Sequence, residues 1–286
     1  GQPSIIARGY AIRKLTYDGH RNIVMEAFFD AQGNPVRTVD GYAAVERSYD
    51  AEQNLNDIKY LGLSGELISN KDGYATVQKT YDEKGRVLRE TYYVAVGMPV
   101  LISRGYATVL WAYDAQGNKA SERYLDLSDA LVACTDGYAE RRMAYDDQKR
   151  MVQESYYGVD GNPVLSAEGM ASVRYAYDLR GNITSEQYLD ENGQPVLSAR
   201  GYAGVERSFG KNNRLEQVDY YGVDGKLTLL MNGFAGYQNV YAAKGDVTEC
   251  VRTYFDENRQ PVLTRSGYAI VKQNLDIDDH VTEEAV

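Results

Sequence analysis

The amino-acid sequence predicts an all-β protein, an elongated array of about eight and a half β-hairpin repeats of 32 residues, solenoid-like or wound as a superhelical sheet. Three observations carry that expectation. A Gly-Tyr-Ala triplet begins at Gly9, Gly41, Gly73, Gly105, Gly137, Gly169, Gly201 and Gly233, always 32 residues apart, and again at Gly267 after a step of 34; Met170 and Phe234 stand in for Tyr. A fixed period along a whole chain marks a repeat architecture, in which each unit buries its apolar face against its neighbours. Glycine-containing turns recur about every dozen residues, leaving segments too short for the paired helices of tetratricopeptide or ankyrin units. Those segments alternate apolar with polar residues and are rich in Val, Ile, Thr and Tyr, the pattern of half-buried strands.

With the triplet Gly as position 1, the first strand runs between positions 3 and 9, as in Ala107, Val109, Trp111 and Tyr113. An Asp then opens a tight turn, often closed by Gly three residues later, as in Tyr81-Asp82-Glu83-Lys84-Gly85. A second strand follows, from about Ile183 to Leu189 in the sixth repeat, ending at the turn Asp190-Glu191-Asn192-Gly193. The extended Pro195-Val196-Leu197 leads to the next triplet, so the unit reads as two turns with the triplet starting a strand. Two extra residues between Gly245 and Tyr254 preserve side-chain parity and suit a lengthened strand or a bulge. A closed propeller of 64-residue blades is the competing architecture.

Tyrosines fill the columns at positions 2, 9, 20 and 21, which hold 24 of the 26 in the chain. Positions 9 and 20 are assigned to packing between repeats. A second period lies beneath the first. Position 14 is Arg86, Arg150 and Arg214 in the third, fifth and seventh repeats but Asn54, Asn118 and Asn182 in the second, fourth and sixth, and position 21 is Tyr93, Tyr157 and Tyr221 against Leu61, Leu125 and Leu189. Either a two-repeat ancestor was duplicated, or alternate repeats face different surroundings. The chain is expected to be one continuous repeat domain over residues 1–286. Its opening Gly1-Gln2-Pro3 is in phase with Gly193-Gln194-Pro195, which points to a piece of a longer protein.

A net charge of -10 leaves no basic tract for nucleic acid, and no apolar run is long enough to insert in a membrane. Cys134 and Cys250 occupy unlike positions in distant repeats and are not expected to bond. Only His20 and His280 are available, so no His-based triad or multi-His metal site can be assembled, and turns such as Asp276-Ile277-Asp278-Asp279 lack the spacing of calcium loops. No metal, cofactor or catalytic residue is assigned. Position 18 forms a carboxylate column of Glu26, Glu90, Glu122, Glu154 and Glu186. Paired carboxylates do glycosidase work, but evenly repeated ones suit hydrogen bonding to a neighbouring Tyr or Arg. Candidate ligand-binding residues are Tyr93, Tyr157 and Tyr221, with Glu90 and Glu154. Equivalent tyrosines two repeats apart would lie roughly 20 Å from one another, a spacing for an extended partner.

The run Tyr-Asp-x-x-Gly-Asn/Arg before a β-branched strand, in Tyr81 to Val87 and Tyr177 to Ile183, resembles the YD repeats of the RHS family. The hairpin arrays of bacterial cell-wall-binding and glucan-binding proteins are similar in their aromatic and glycine content. Both resemblances imply a secreted or surface-attached, non-catalytic module. The function expected is a bacterial extracellular or cell-surface spacer, or a binding surface for a glycan or protein partner. The alternative is a segment of a polysaccharide-active enzyme, which would show a unique cleft with two close carboxylates interrupting the regularity.

Overall fold

In a computed structural model that describes residues 6–244, 247–276 and 280–286, every repeat is built on turns closed by the same pair of backbone hydrogen bonds. Asp82 N–H donates to the Arg86 carbonyl at 2.9 Å, and Gly85 N–H donates to the Asp82 carbonyl at 3.0 Å. The Asp82 carboxylate accepts from the N–H groups of Lys84 and Arg86, at 2.9 Å each. Two backbone N–H groups that a bare turn would leave to water are thereby satisfied. Asp30 closes the second turn in the same way, with bonds to Asn34 and Gly33.

A third turn of this geometry corrects the two-turn reading. Thr38 N–H donates to Tyr42 O at 2.8 Å and Gly41 N–H to Thr38 O at 3.0 Å, so the triplet glycine closes a turn and the strand starts three residues later. Gly41 has φ +94°, a left-handed conformation that costs an L side chain about 1–2 kcal/mol. At Gly9 a Cβ would also meet the backbone N of Val39 at 3.3 Å, because the corresponding turn of the next repeat packs there.

The chain forms two compact units, Gly1–Arg141 and Arg142–Val286. The first holds the hairpins β1 (Ile12–Tyr17) with β2 (Ile23–Phe29), β3 (Ala44–Tyr49) with β4 (Leu55–Leu61), β5 (Thr76–Tyr81) with β6 (Val87–Tyr93), and β7 (Thr108–Tyr113) with β8 (Lys119–Leu125). Strand β9 (Glu140–Tyr145) carries the division. The second unit holds β10 (Met151–Tyr157), β11 (Ser172–Tyr177) with β12 (Ile183–Leu189), β13 (Gly204–Phe209) with β14 (Leu215–Tyr221), β15 (Gly236–Lys244) with β16 (Val247–Phe255), and β17 (Ile270–Leu275) with β18 (Val281–Ala285).

Among the described residues of each unit, pairing is antiparallel and continues from one hairpin to the next, as in Met25↔Glu46, Glu26↔Val45 and Ala27↔Ala44. Within the first unit it runs unbroken from β1 to β8, which departs from a propeller of separate four-stranded blades. A bulge falls before the position-9 aromatic in most hairpins, for example between Thr80 and Tyr81. The eighth hairpin differs: β15 and β16 have nine residues each and pair from Gly236↔Phe255 to Lys244↔Val247 with no bulge. Its extra length is therefore a lengthened strand pair. Gly245 at its tip lies outside the described residues, as do the opening Gly1-Gln2-Pro3 and residues 277–279 of the Asp-rich turn. Cys134 and Cys250 are buried thiols outside any disulfide.

Candidate functional site

The hairpin pairs Val45↔Tyr60, Arg47↔Ile58 and Ala44↔Leu61 sort the side chains by face. Positions 5, 7, 18 and 20 share one, here the ring face. Positions 4, 6, 17, 19 and 21 share the other, here the polar face.

On the ring face the position-2 and position-20 aromatics interleave as a ladder. In the first unit it runs Tyr10, Phe28, Tyr42, Tyr60, Tyr74, Tyr92, Tyr106, Tyr124, Tyr138, with successive ring centres 4.7 to 6.3 Å apart. Position 20 packs between repeats as expected, but its ring partner is position 2. Position 9 does different work. Its hydroxyl donates to a backbone carbonyl of the preceding repeat, as Tyr49 does to Ile23 O at 3.0 Å and Tyr113 to Val87 O at 2.9 Å.

This clamp gives the 64-residue period a physical content. Arg86 and Arg150 each close their own turn on Asp82 and Asp146 at 2.7 Å and lay the guanidinium over the next repeat's position-9 ring, 4.4 Å from Tyr113 and 4.8 Å from Tyr177. Asn54, Asn118 and Asn182 close the same turn with a shorter side chain, as Asn118 does on Asp114 at 2.9 Å. Alternate repeats thus differ in what they offer the next one, a guanidinium over a ring or, at Asn182, an amide that accepts from Asn213 at 3.0 Å.

The carboxylate column lies beside the ladder. Glu26 accepts from Arg13 at 2.5 Å and from Arg47 of the next repeat at 2.8 Å. Burial opposes its ionisation, yet the two guanidinium bonds hold its pKa below the usual carboxylate value. Arg207 reaches back to Glu186 at 2.7 Å in the same way. The two repeats with Ile58 and Val218 at position 18 are those whose position-7 arginine already serves the preceding repeat. Glu90 takes Lys79 at 2.8 Å and the Tyr92 hydroxyl, and Tyr175 donates to the buried Glu154 at 2.7 Å. The Arg47, Arg207 and Tyr175 bonds join one hairpin to the next, whereas those to Glu90 tie the strands of one hairpin.

The polar face carries the other candidates. Leu61, Leu125 and Leu189 are buried there, whereas Tyr93, Tyr157 and Tyr221 are half-buried beside the second turn, where they bridge to Pro99, Pro163 and Leu227. Strand parity therefore separates them from Glu90 and Glu154, and the five residues do not form one site. The three tyrosines also differ among themselves. Thr76 stands opposite Tyr93, and Arg142 lies 4.0 Å over the Tyr157 ring. Gly204 stands opposite Tyr221 and next to Gln187 on the other side. With no side chain there, a cleft of about 340 Å³ opens, lined by Tyr221, Gln187, Ser185, Glu206 and Pro195. Tyr221 donates to Glu206 at 3.0 Å, and burial together with that carboxylate pushes its pKa up to about 12. Gly236 is the other glycine at position 4 in the second unit, and there Phe255 fills the space.

The sequence pattern gave no warning of either place where the lining departs from the repeat. Gly204 is one of these. Met170 is the other: in the second unit the ladder runs Tyr188, Tyr202, Tyr220, Phe234, Tyr254, Tyr268, and Met170 takes a ring's place just before it. A cavity of about 180 Å³ adjoins Met170 and brings Glu154 and Glu186 to one lining.

No family model and no curated protein matches the chain. One solved structure matched by the fold is the Tc holotoxin pore of Photorhabdus luminescens, carrying a TccC3 D651A mutation, at 13% identity and a TM-score of 0.30 over 95% of this chain. The chain spans 15% of the length of that one, and a likeness of this degree carries no functional argument.

Proposed function

We propose that this chain is a non-catalytic repeat module, extracellular or at the cell surface, whose polar face binds a glycan at the cleft beside Tyr221. The observation that carries the reading is the missing side chain at Gly204, which leaves an aromatic wall, an amide, a hydroxyl and a carboxylate around one open space. An aromatic face packs on the C–H face of a sugar ring, while Gln187, Ser185 and Glu206 suit its hydroxyls. The ring-face carboxylates support a non-catalytic role, since Arg207 and the Tyr188 hydroxyl engage Glu186, and Tyr175 engages Glu154. Placement outside the cell rests on the resemblance to YD and wall-binding arrays.

Titration of the protein against a panel of bacterial and plant polysaccharides tests the proposal. Tyr221→Ala should weaken binding at least tenfold, about 1.4 kcal/mol. Tyr157→Ala, whose ring already lies under Arg142, should weaken it less. Equal binding by wild type and Tyr221→Ala, or none to any glycan, would leave a spacer or a protein-binding surface as the better reading.

A further inference from the structure

The break in the ring ladder has a consequence independent of the Tyr221 cleft. At Tyr42, Tyr74, Tyr106, Tyr202 and Phe234 the position-2 ring is set between two position-20 rings. In the sixth repeat that residue is Met170, between Tyr156 and Tyr188 in the column, and the adjoining cavity measures about 180 Å³. The pocket is open to solvent on one side, and its volume exceeds the size of about 150 Å³ that admits a benzene ring. The lining combines aromatic walls with polar groups: the Tyr175 hydroxyl bonded to Glu154, together with Ser198 and Arg200. Methionine is unbranched and adaptable, so Met170 can shift to seat a flat guest and offer its sulfur to the ring edge.

We propose that this cavity binds a phenolic ring supplied from outside the chain, which completes the ladder as the position-2 tyrosine does in its neighbours. The phenyl group lies against the rings of Tyr156 and Tyr188, and the hydroxyl meets the polar lining. The same chemistry is offered by a free phenolic compound or by an exposed tyrosine of a partner.

Calorimetric or NMR titration with p-cresol tests this, with 4-methylcyclohexanol as the non-aromatic analogue and N-acetyl-tyrosine methylamide as the side-chain form. Saturable binding of one p-cresol per chain is expected, at least fivefold tighter than the analogue. Tight binding of the tyrosine derivative would identify a partner side chain as the source, and its exclusion a free phenol. Met170→Tyr should abolish binding at least tenfold while leaving the melting temperature equal or higher. Tyr106→Met opens the same gap between Tyr92 and Tyr124, beside Glu90 and Glu122, and should raise the stoichiometry to two. Unsaturable binding, indifference to the ring, undiminished affinity in Met170→Tyr, or a folded Tyr106→Met that still binds one equivalent would each overturn the proposal.

Discussion

In the first unit the ring ladder passes from Tyr10 to Tyr138 without a gap, and the Tyr106–Tyr124 step is stacked at 4.7 Å with an interplanar angle of 25°. In the second unit Met170 interrupts the same column and a cavity opens beside it. The strands, turns and registers on either side of the gap are of the ordinary kind, so backbone geometry does not depend on every ring being present. A side chain lost from the repeat can thus create an opening without rearranging the hairpins, unless a neighbour fills it as Phe255 does at Gly236. Gly204 shows the same on the opposite face. Recognition in such an array belongs to its departures from regularity, because a regular position is already occupied by its neighbours.

The largest way to break the comparison is to charge the ladder. Burial raises the pKa of Tyr42, Tyr60, Tyr92, Tyr106 and Tyr124, and holds Tyr138 at about 12. In the second unit burial raises Tyr188 and Tyr220, the latter to about 12. Each folded value lies above the unfolded one near 10, so the unfolded chain releases protons first as pH rises. The stability these rings contribute is fully present below about pH 10 and is lost as pH rises from there through the folded values. Urea unfolding from pH 8 to 11.5 should show a collective fall that begins near pH 10. A flat profile would mean that the rings are not buried as a ladder.

A smaller change separates the two units. Tyr124 is 2% exposed and touches a ring on each side, so Tyr124→Ala should cost about 3–5 kcal/mol by chemical denaturation. Met170→Ala, beside an existing cavity and with no ring stack to lose, should cost nearer to 2 kcal/mol. Equal costs would show that the ladder adds nothing beyond ordinary apolar burial.

Much of this architecture was readable before any coordinates. Period two in Ile183 to Leu189 and Asp-x-x-Gly at Asp178 to Gly181 are local signals, written in the residues that form the element. The third turn escaped because position 30 has no fixed turn former: it is Thr38, Ile102, Cys134 or Leu230 as readily as Asn70, Ser166 or Ser198, and the left-handed glycine at position 1 is the constant mark. The pairing of position 2 with position 20 depends on how successive hairpins pack, a relation that no single repeat displays. Neither cavity was legible either. Met170 and Gly204 look like tolerated substitutions within a column, and what each leaves open is decided by its neighbours across the sheet. Hence Tyr93, Tyr157 and Tyr221 read alike in the sequence, although Thr76 and Arg142 cover the first two and Gly204 leaves the third open.

The finest comparison concerns one hydroxyl. Tyr113 in the first unit donates to Val87 O at 2.9 Å, and Tyr177 in the second donates to Met151 O at 2.7 Å. The seventh repeat has Phe209 at this position and so lacks the clamp. A hydrogen bond of this kind contributes about 0.5–1.5 kcal/mol net, and an acceptor left without a donor can cost more where water is excluded. Tyr113→Phe should therefore destabilise by roughly 1 kcal/mol. Phe209→Tyr should stabilise by a similar amount, by donating to the carbonyl of Ile183, the residue equivalent to Val87 in the preceding repeat. Amide exchange at the β12–β13 junction, where only Ser185 to Gln187 pair with Gly204 to Glu206, should slow in Phe209→Tyr. If it does not, the position-9 column acts through its rings and the arginines laid over them, and the hydroxyl is incidental to joining one hairpin to the next.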